Sequence, residues 1–116
     1  MRSETPAHLW DAIEAAKRAR AAVDGLSAQE YLDDWIRQSA VERQIEVLGE
    51  ALNRIRKSDH ETSERIPDLR AIVATRNLIV HQYDDVDHVR VLAMLNDDLP
   101  SLLPVLEGLL GEADAP

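Results

Sequence analysis

The chain has 116 residues, a formal charge of −9, a pI near 4.8 and no cysteine. That length suits one domain around one core, and the missing thiols exclude disulfides, thiolate metal sites and a cysteine nucleophile. The acidic excess argues against broad electrostatic binding to nucleic acid, while leaving room for a local basic crevice.

Aromatic residues make up 3% of the chain and Phe is absent, so the core has to be aliphatic. Leu, Ile, Val and Ala recurring at helical periods suit a helix bundle. No apolar run approaches the length of a membrane span, and the opening Met-Arg-Ser-Glu-Thr-Pro-Ala-His lacks the apolar core of a signal peptide. The cytoplasm is the expected location.

Thr5 before Pro6 reads as a helix start, since Pro at the first helical position gives up an N–H that has no intrahelical partner anyway. Leu9, Ile13, Ala16 and Ala19 carry the pattern to about Val23, and Asp24-Gly25 ends it. Ser27 to Glu30 is a capping box. A second helix is expected from Ala28 to about Lys57, bent near Asp33-Asp34. Its core stripe is Val41, Gln44, Ile45, Leu48, Ala51, Leu52 and Ile55. Gly49 lies inside that helix, where Gly costs about 1 kcal/mol against Ala. Its presence suggests a close approach by a neighbouring element. Glu46 and Glu50 flank it as candidate partners for a cation, and Glu50 also stands four residues before Arg54.

Residues 57–66 are polar and read as the one substantial loop. His60 there has no second ligand at helical spacing, so no metal site is expected. Pro67-Asp68 starts another helix, expected to reach about Gln82 before Asp84-Asp85 stops it. Asp87 is a plausible cap for the last helix, with Val89, Leu92 or Ala93, Leu95 or Asn96, Leu99, Leu102 or Leu103 and Leu106 recurring at helical spacing. Pro100 and Pro104 should kink or divide it near Asp98. Residues 111–116 are expected to form a flexible tail. The sum is an all-α, up-and-down bundle of four or five helices in a single domain over 1–116.

Chemistry concentrates in Arg76-Asn77-Leu78-Ile79-Val80-His81-Gln82-Tyr83. Arg76 and Tyr83, seven apart, share a helix face, and Asn77 and His81 are neighbours on an adjoining stripe. Arg76 falls in the middle of an apolar face made by Leu69, Ile72, Val73, Ile79 and Val80. A guanidinium there needs either an anionic partner or a wet crevice. Breaking a phosphodiester by proton transfer needs a base, an acid and positive charge at phosphorus. His81 suits proton transfer, Arg76 suits phosphate, and Asn77 can hold either the imidazole or a phosphate oxygen. One such His per chain would make a two-fold dimer, with both motif helices together, the complete site. The basic clusters Lys17-Arg18-Arg20 and Arg54-Arg56-Lys57 are either part of an anion-binding crevice or solvated helix surface.

Arg76, His81 and Tyr83 spell R-x4-H-x-Y, and this resembles the signature of the HepT-like toxins of the HEPN superfamily. The helix Ala40 to Ala51, ending Gly49-Glu50-Ala51, is similar to a family helix, as are Ile66-Pro67, Asp84 to Asp87 and Asp97 to Pro100. The resemblance runs from about Leu9 to Leu110. Asp68 and Ala74-Thr75 depart from the pattern, which often has an aromatic and a Gly-hydrophobic pair there.

The resemblance implies a metal-independent toxin endoribonuclease of a type VII toxin-antitoxin system, with no cofactor. Cleavage would take place in a composite cleft of a homodimer. It also implies that a cognate MntA-type nucleotidyltransferase silences the toxin by adenylylating Tyr83, whose phosphate would occupy Arg76. The alternatives are an inactive HEPN binding module that docks on a minimal nucleotidyltransferase, and a purely structural helical dimer with Arg76 paired to Glu46 or Glu50.

Overall fold

The computed structural model describes residues 1–81 and 85–114, and among these every regular element is helical. The order is α1 (Thr5–Val23), α2 (Ala28–Leu32), α3 (Trp35–Ser58), α4 (His60–Ser63), α5 (Leu69–His81), α6 (His88–Ala93), a π-helical turn (Met94–Asp98) and α7 (Leu99–Asp114). The long helices α1 and α3 form the central pair. α7 lies along α1, and α5 packs chiefly on α3. The aliphatic stripe behaves as its spacing predicts: Val41, Ile45, Leu48, Leu52 and Ile55 are fully buried, against Leu9, Ala12, Ile13 and Ala16 of α1 in the same core cluster. A fully buried leucine contributes roughly 1.5–3 kcal/mol, so this seam carries most of the fold.

Local chemistry sets several boundaries. The capping box forms as expected, with the Glu30 N–H donating to Ser27 Oγ at 3.1 Å and the Ser27 N–H to Glu30 Oε1 at 3.0 Å. The expected bend at Asp33-Asp34 is a break: the Asp34 side chain caps α3 by accepting from the Arg37 N–H at 3.1 Å. Thr5 is not a cap. It is buried in the first turn of α1, and its hydroxyl donates to Asp59 Oδ2 at 2.7 Å.

Asp59 is also where the expected loop at 57–66 proves to be ordered. α3 continues to Ser58, and Asp59 then caps the one-turn α4, accepting from the Thr62 N–H at 3.2 Å. The Arg2 N–H donates to Asp59 Oδ2 at 2.9 Å. Burial pushes the Asp59 carboxyl up, but the hydrogen bonds from Arg2, Thr5 and Thr62 outweigh it and hold the group well below the usual carboxylate range.

The last helical segment divides where the prolines fall, but through a π turn. The Leu99 N–H bonds to the Met94 carbonyl, five residues back. Pro100 has no N–H with which to continue that register to Leu95. Arg20 of α1 takes its place, donating from Nη1 to the Leu95 carbonyl at 2.7 Å. Leu95, Leu99, Leu102 and Leu106 are buried as expected, and Val91 and Met94 join them in the core, whereas Val89, expected there, is 63% exposed. Helix α7 runs on through the expected tail to Asp114, and Arg65 holds Glu112 through two bonds of 3.1 and 2.7 Å.

Candidate functional site

Helix α5 begins after Asp68, whose φ of 59° lies in the left-handed region that Asp tolerates better than most residues. Leu69, Ile72 and Ile79 are buried, so the apolar face meets α3 as predicted. Thr75, where the family pattern has an apolar residue, is buried too. Its hydroxyl is satisfied by donating to the Ala71 carbonyl at 2.9 Å.

Arg76 sits within this face, a quarter exposed. The stem of the side chain crosses α3 at Gly49: a Cβ added to Gly49 would overlap Arg76 Cβ and lie 2.6 Å from Cγ. Gly49 therefore exists to admit an arginine stem. Beyond that crossing, Nη2 donates to Glu50 Oε2 at 3.1 Å and Nη1 to Asn77 Oδ1 at 2.9 Å. Arg76 Nε is buried and unpartnered among the described residues.

Of the two candidate carboxylates, Glu50 is the partner of Arg76. Glu46 turns toward Arg43, 3.6 Å from Nη1. Glu50 also accepts from Arg54 Nε at 3.0 Å, so the two pairings that the sequence left as alternatives coexist on its two oxygens. The Arg54 hydrogen bond, against a smaller opposing effect of burial and helped by the charge of Arg76, holds the Glu50 carboxyl below its ordinary value.

A cleft of about 340 Å³ opens beside this network, lined by Arg43, Glu46, Glu50 and Arg54 of α3, Arg76 and Val80 of α5, and His8 and Asp11 of α1. This cleft is not the basic crevice expected on an acidic body, because its lining mixes arginines with carboxylates. The other basic cluster is largely taken up by the fold. Lys17 lies 3.6 Å from Glu107, and Arg20 serves the Leu95 carbonyl.

His81 ends α5, exposed, and does not line this cleft. Five residues from Arg76 it is turned about 140° around the helix, so within one chain the two point apart. Asn77 is drawn to Arg76, and Tyr83 falls outside the described residues. Sequence reasoning gave His8 no role, since a lone His near a helix start is more often surface than ligand, and it missed Asp11 and Arg43. Nothing local marks the first two, because only the packing of α1 on α3 brings residues so far upstream to Arg76.

A second polar group lies at the other end of α3. Tyr31 is fully buried with its hydroxyl unpartnered among the described residues. Its ring meets His88 edge-on at 6.3 Å, and His88 Nε2 stands 4.0 Å from Glu42. Burial, with the charge of Glu42, pushes the Tyr31 phenol up to about 12. Burial likewise raises the Glu42 carboxyl, against the opposing effect of His88.

These features define a small helical domain with an arginine anchored over a glycine at the mouth of a cleft. The HepT-like ribonuclease family model matches residues 12–109, and the chain belongs to that family. Three relatives are similar along most of their length. Putative RNase MJ1380 of Methanocaldococcus jannaschii is 24% identical, over 90% of this chain and 94% of its own. Putative RNase MJ1216 of the same organism is 25% identical, over 93% and 88%. Putative RNase TTE0752 of Caldanaerobacter subterraneus subsp. tengcongensis is 25% identical, over 69% and 70%. No solved structure matches this chain. Among the described residues, no helix is long and apolar enough to cross a membrane, and no group of three metal-ligating His, Asp or Glu side chains forms.

Proposed function

We propose that this chain is a metal-independent endoribonuclease toxin in which Arg76 holds the scissile phosphate, His81 transfers a proton and Asn77 steadies the guanidinium. The observation that carries this reading is the placing of Arg76: a permanent cation, seated on a glycine, with its fork at the edge of an open cleft. The 2′-oxygen attacks phosphorus as its proton leaves to a base. The P–O5′ bond breaks as an acid protonates O5′, leaving a 2′,3′-cyclic phosphate and a 5′-hydroxyl. Because His81 points away from Arg76 in its own chain, a homodimer supplies it across a two-fold axis, with His81 of one copy facing Arg76 of the other.

Control by a cognate MntA-type nucleotidyltransferase belongs to the same reading. The Tyr83 hydroxyl would attack the α-phosphate of ATP and release pyrophosphate, and the AMP so attached would compete with RNA for Arg76. The test is cleavage of RNA by the purified chain in EDTA, before and after co-expression with the transferase, with intact mass measured on each form. Loss of cleavage in Arg76→Ala and His81→Ala, and an added AMP on Tyr83 that abolishes cutting, are the expected results. An unmodified chain that leaves RNA intact sinks the reading.

The Arg76–Glu50 pair favours a second reading, in which Arg76 is satisfied within its own chain and the domain is a purely structural helical dimer. That reading predicts no RNA cleavage, no complex with a nucleotidyltransferase and no effect of His81→Ala.

A further inference from the structure

His8 and Arg76 line one cleft, although they lie far apart in the chain. His8 is half-buried in the first turns of α1, and the imidazole that shares the cleft with the Arg76 guanidinium is this one and not His81. We propose that His8 is a second proton-transfer group of the ribonuclease site, facing a phosphodiester held in the cleft by Arg76. The inference rests on the ribonuclease reading and adds to it a residue outside the R-x4-H-x-Y set.

The charge in the cleft supports the assignment. Three guanidinium groups, on Arg43, Arg54 and Arg76, face three carboxylates, on Asp11, Glu46 and Glu50. With a neutral His8 the lining carries no net charge, and an anion gains little by entering. A proton on His8 is what tips the balance toward phosphate. General acid–base chemistry also needs two groups, one to take the proton from the 2′-hydroxyl and one to protonate the departing O5′. His8 supplies one of them from within the chain that holds the phosphate, and His81 across the dimer supplies the other. His60, by contrast, is exposed, 2.9 Å from Glu64 and away from this cleft.

The experiment is a pH–rate profile of RNA cleavage for the parent chain, His8→Gln and His60→Gln, with circular dichroism confirming that each is folded. His8→Gln should lower kcat by about 100-fold to 10,000-fold, leave KM within a few-fold and remove one limb of the profile. His60→Gln should match the parent. Alongside, the parent is titrated with a fully 2′-O-methylated oligonucleotide, which binds without being cut, and the assigned imidazole C–H signals are followed by NMR. The His8 signal should move and saturate while that of His60 stays still. A His8→Gln variant with the parent's kcat and profile overturns the proposal. If the parent cuts no RNA, the ribonuclease reading fails and takes the catalytic role of His8 with it. The titration then decides separately whether the cleft binds a phosphodiester: a His8 signal that moves retains the site, and one that stays still removes it.

Discussion

The Cβ and Cγ of Arg76 fill the space that any side chain at position 49 would need. Gly49→Ala should therefore reverse the usual sign of that exchange in a helix. Propensity favours Ala by about 1 kcal/mol, but overlap with a stem close to the α5 backbone has no flexible end to move. A net loss of about 1–3 kcal/mol is expected, read as a lower urea midpoint at constant m. Arg76→Ala keeps the clashing Cβ and should not rescue it, whereas Arg76→Gly should.

Glu50 competes with phosphate for the Arg76 fork. Replacing it by Gln removes one negative charge from the cleft, and RNA should bind about five-fold tighter at low salt, a difference of about 1 kcal/mol that fades as salt is raised. Because Glu50 and Arg54 are both well exposed, stability should change by less than about 1 kcal/mol. Fluorescence anisotropy with labelled RNA measures the first effect and urea unfolding the second.

Asp59 ties the N-terminus to the α3–α4 junction. Its carboxyl is depressed in the folded state relative to an ordinary value of 3.8, so its contribution is complete above that value and is lost as pH falls below it. Asp59→Ala should cost about 1–3 kcal/mol at neutral pH, since it leaves the buried Thr5 hydroxyl without its partner. The variant and the parent should converge in stability as the solution is acidified, which unfolding curves across that range will show.

Tyr31 predicts behaviour at the alkaline end. Its phenol is raised from 10.0 to about 12, so the stability gained by keeping it neutral is whole below pH 10 and disappears as pH climbs through 12. Tyr31→Phe removes a buried hydroxyl without a described partner while keeping the ring against His88. Its unfolding free energy at neutral pH should equal or exceed the parent's by up to about 1 kcal/mol, and its alkaline unfolding should begin at higher pH.

Arg20 and Pro100 should be coupled. Arg20→Met leaves the Leu95 carbonyl unserved and should cost about 1–3 kcal/mol, but in a Pro100→Ala background, where an N–H returns, the cost should shrink. A double-mutant cycle gives that coupling directly.

What could be seen in the sequence was whatever depends on near neighbours. The stripe from Val41 to Ile55, the Ser27 capping box and the Asp87 cap, which accepts from the Arg90 N–H at 3.1 Å, all follow from spacings of three and four. Gly49 in the interior of a helix also pointed correctly to a close approach. What stayed hidden was set by residues far apart in the chain. The polar stretch after Lys57 conceals a helical turn because Asp59 answers to Thr5, and the π turn depends on a guanidinium from α1. His8 belongs to the Arg76 cleft only through the packing of three helices, and no pattern around it says so.

Helix α5 leans mainly on α3, whereas α1 and α3 each have several neighbours among the described elements. The free energy needed to release α5 alone is thus well below that needed to open the central pair, and its amides should be among the first in the bundle to exchange with solvent. The motif is mounted on the part of the molecule that can let go of the core without dissolving it. A partner that grips the outer side of α5 would stiffen the motif it covers.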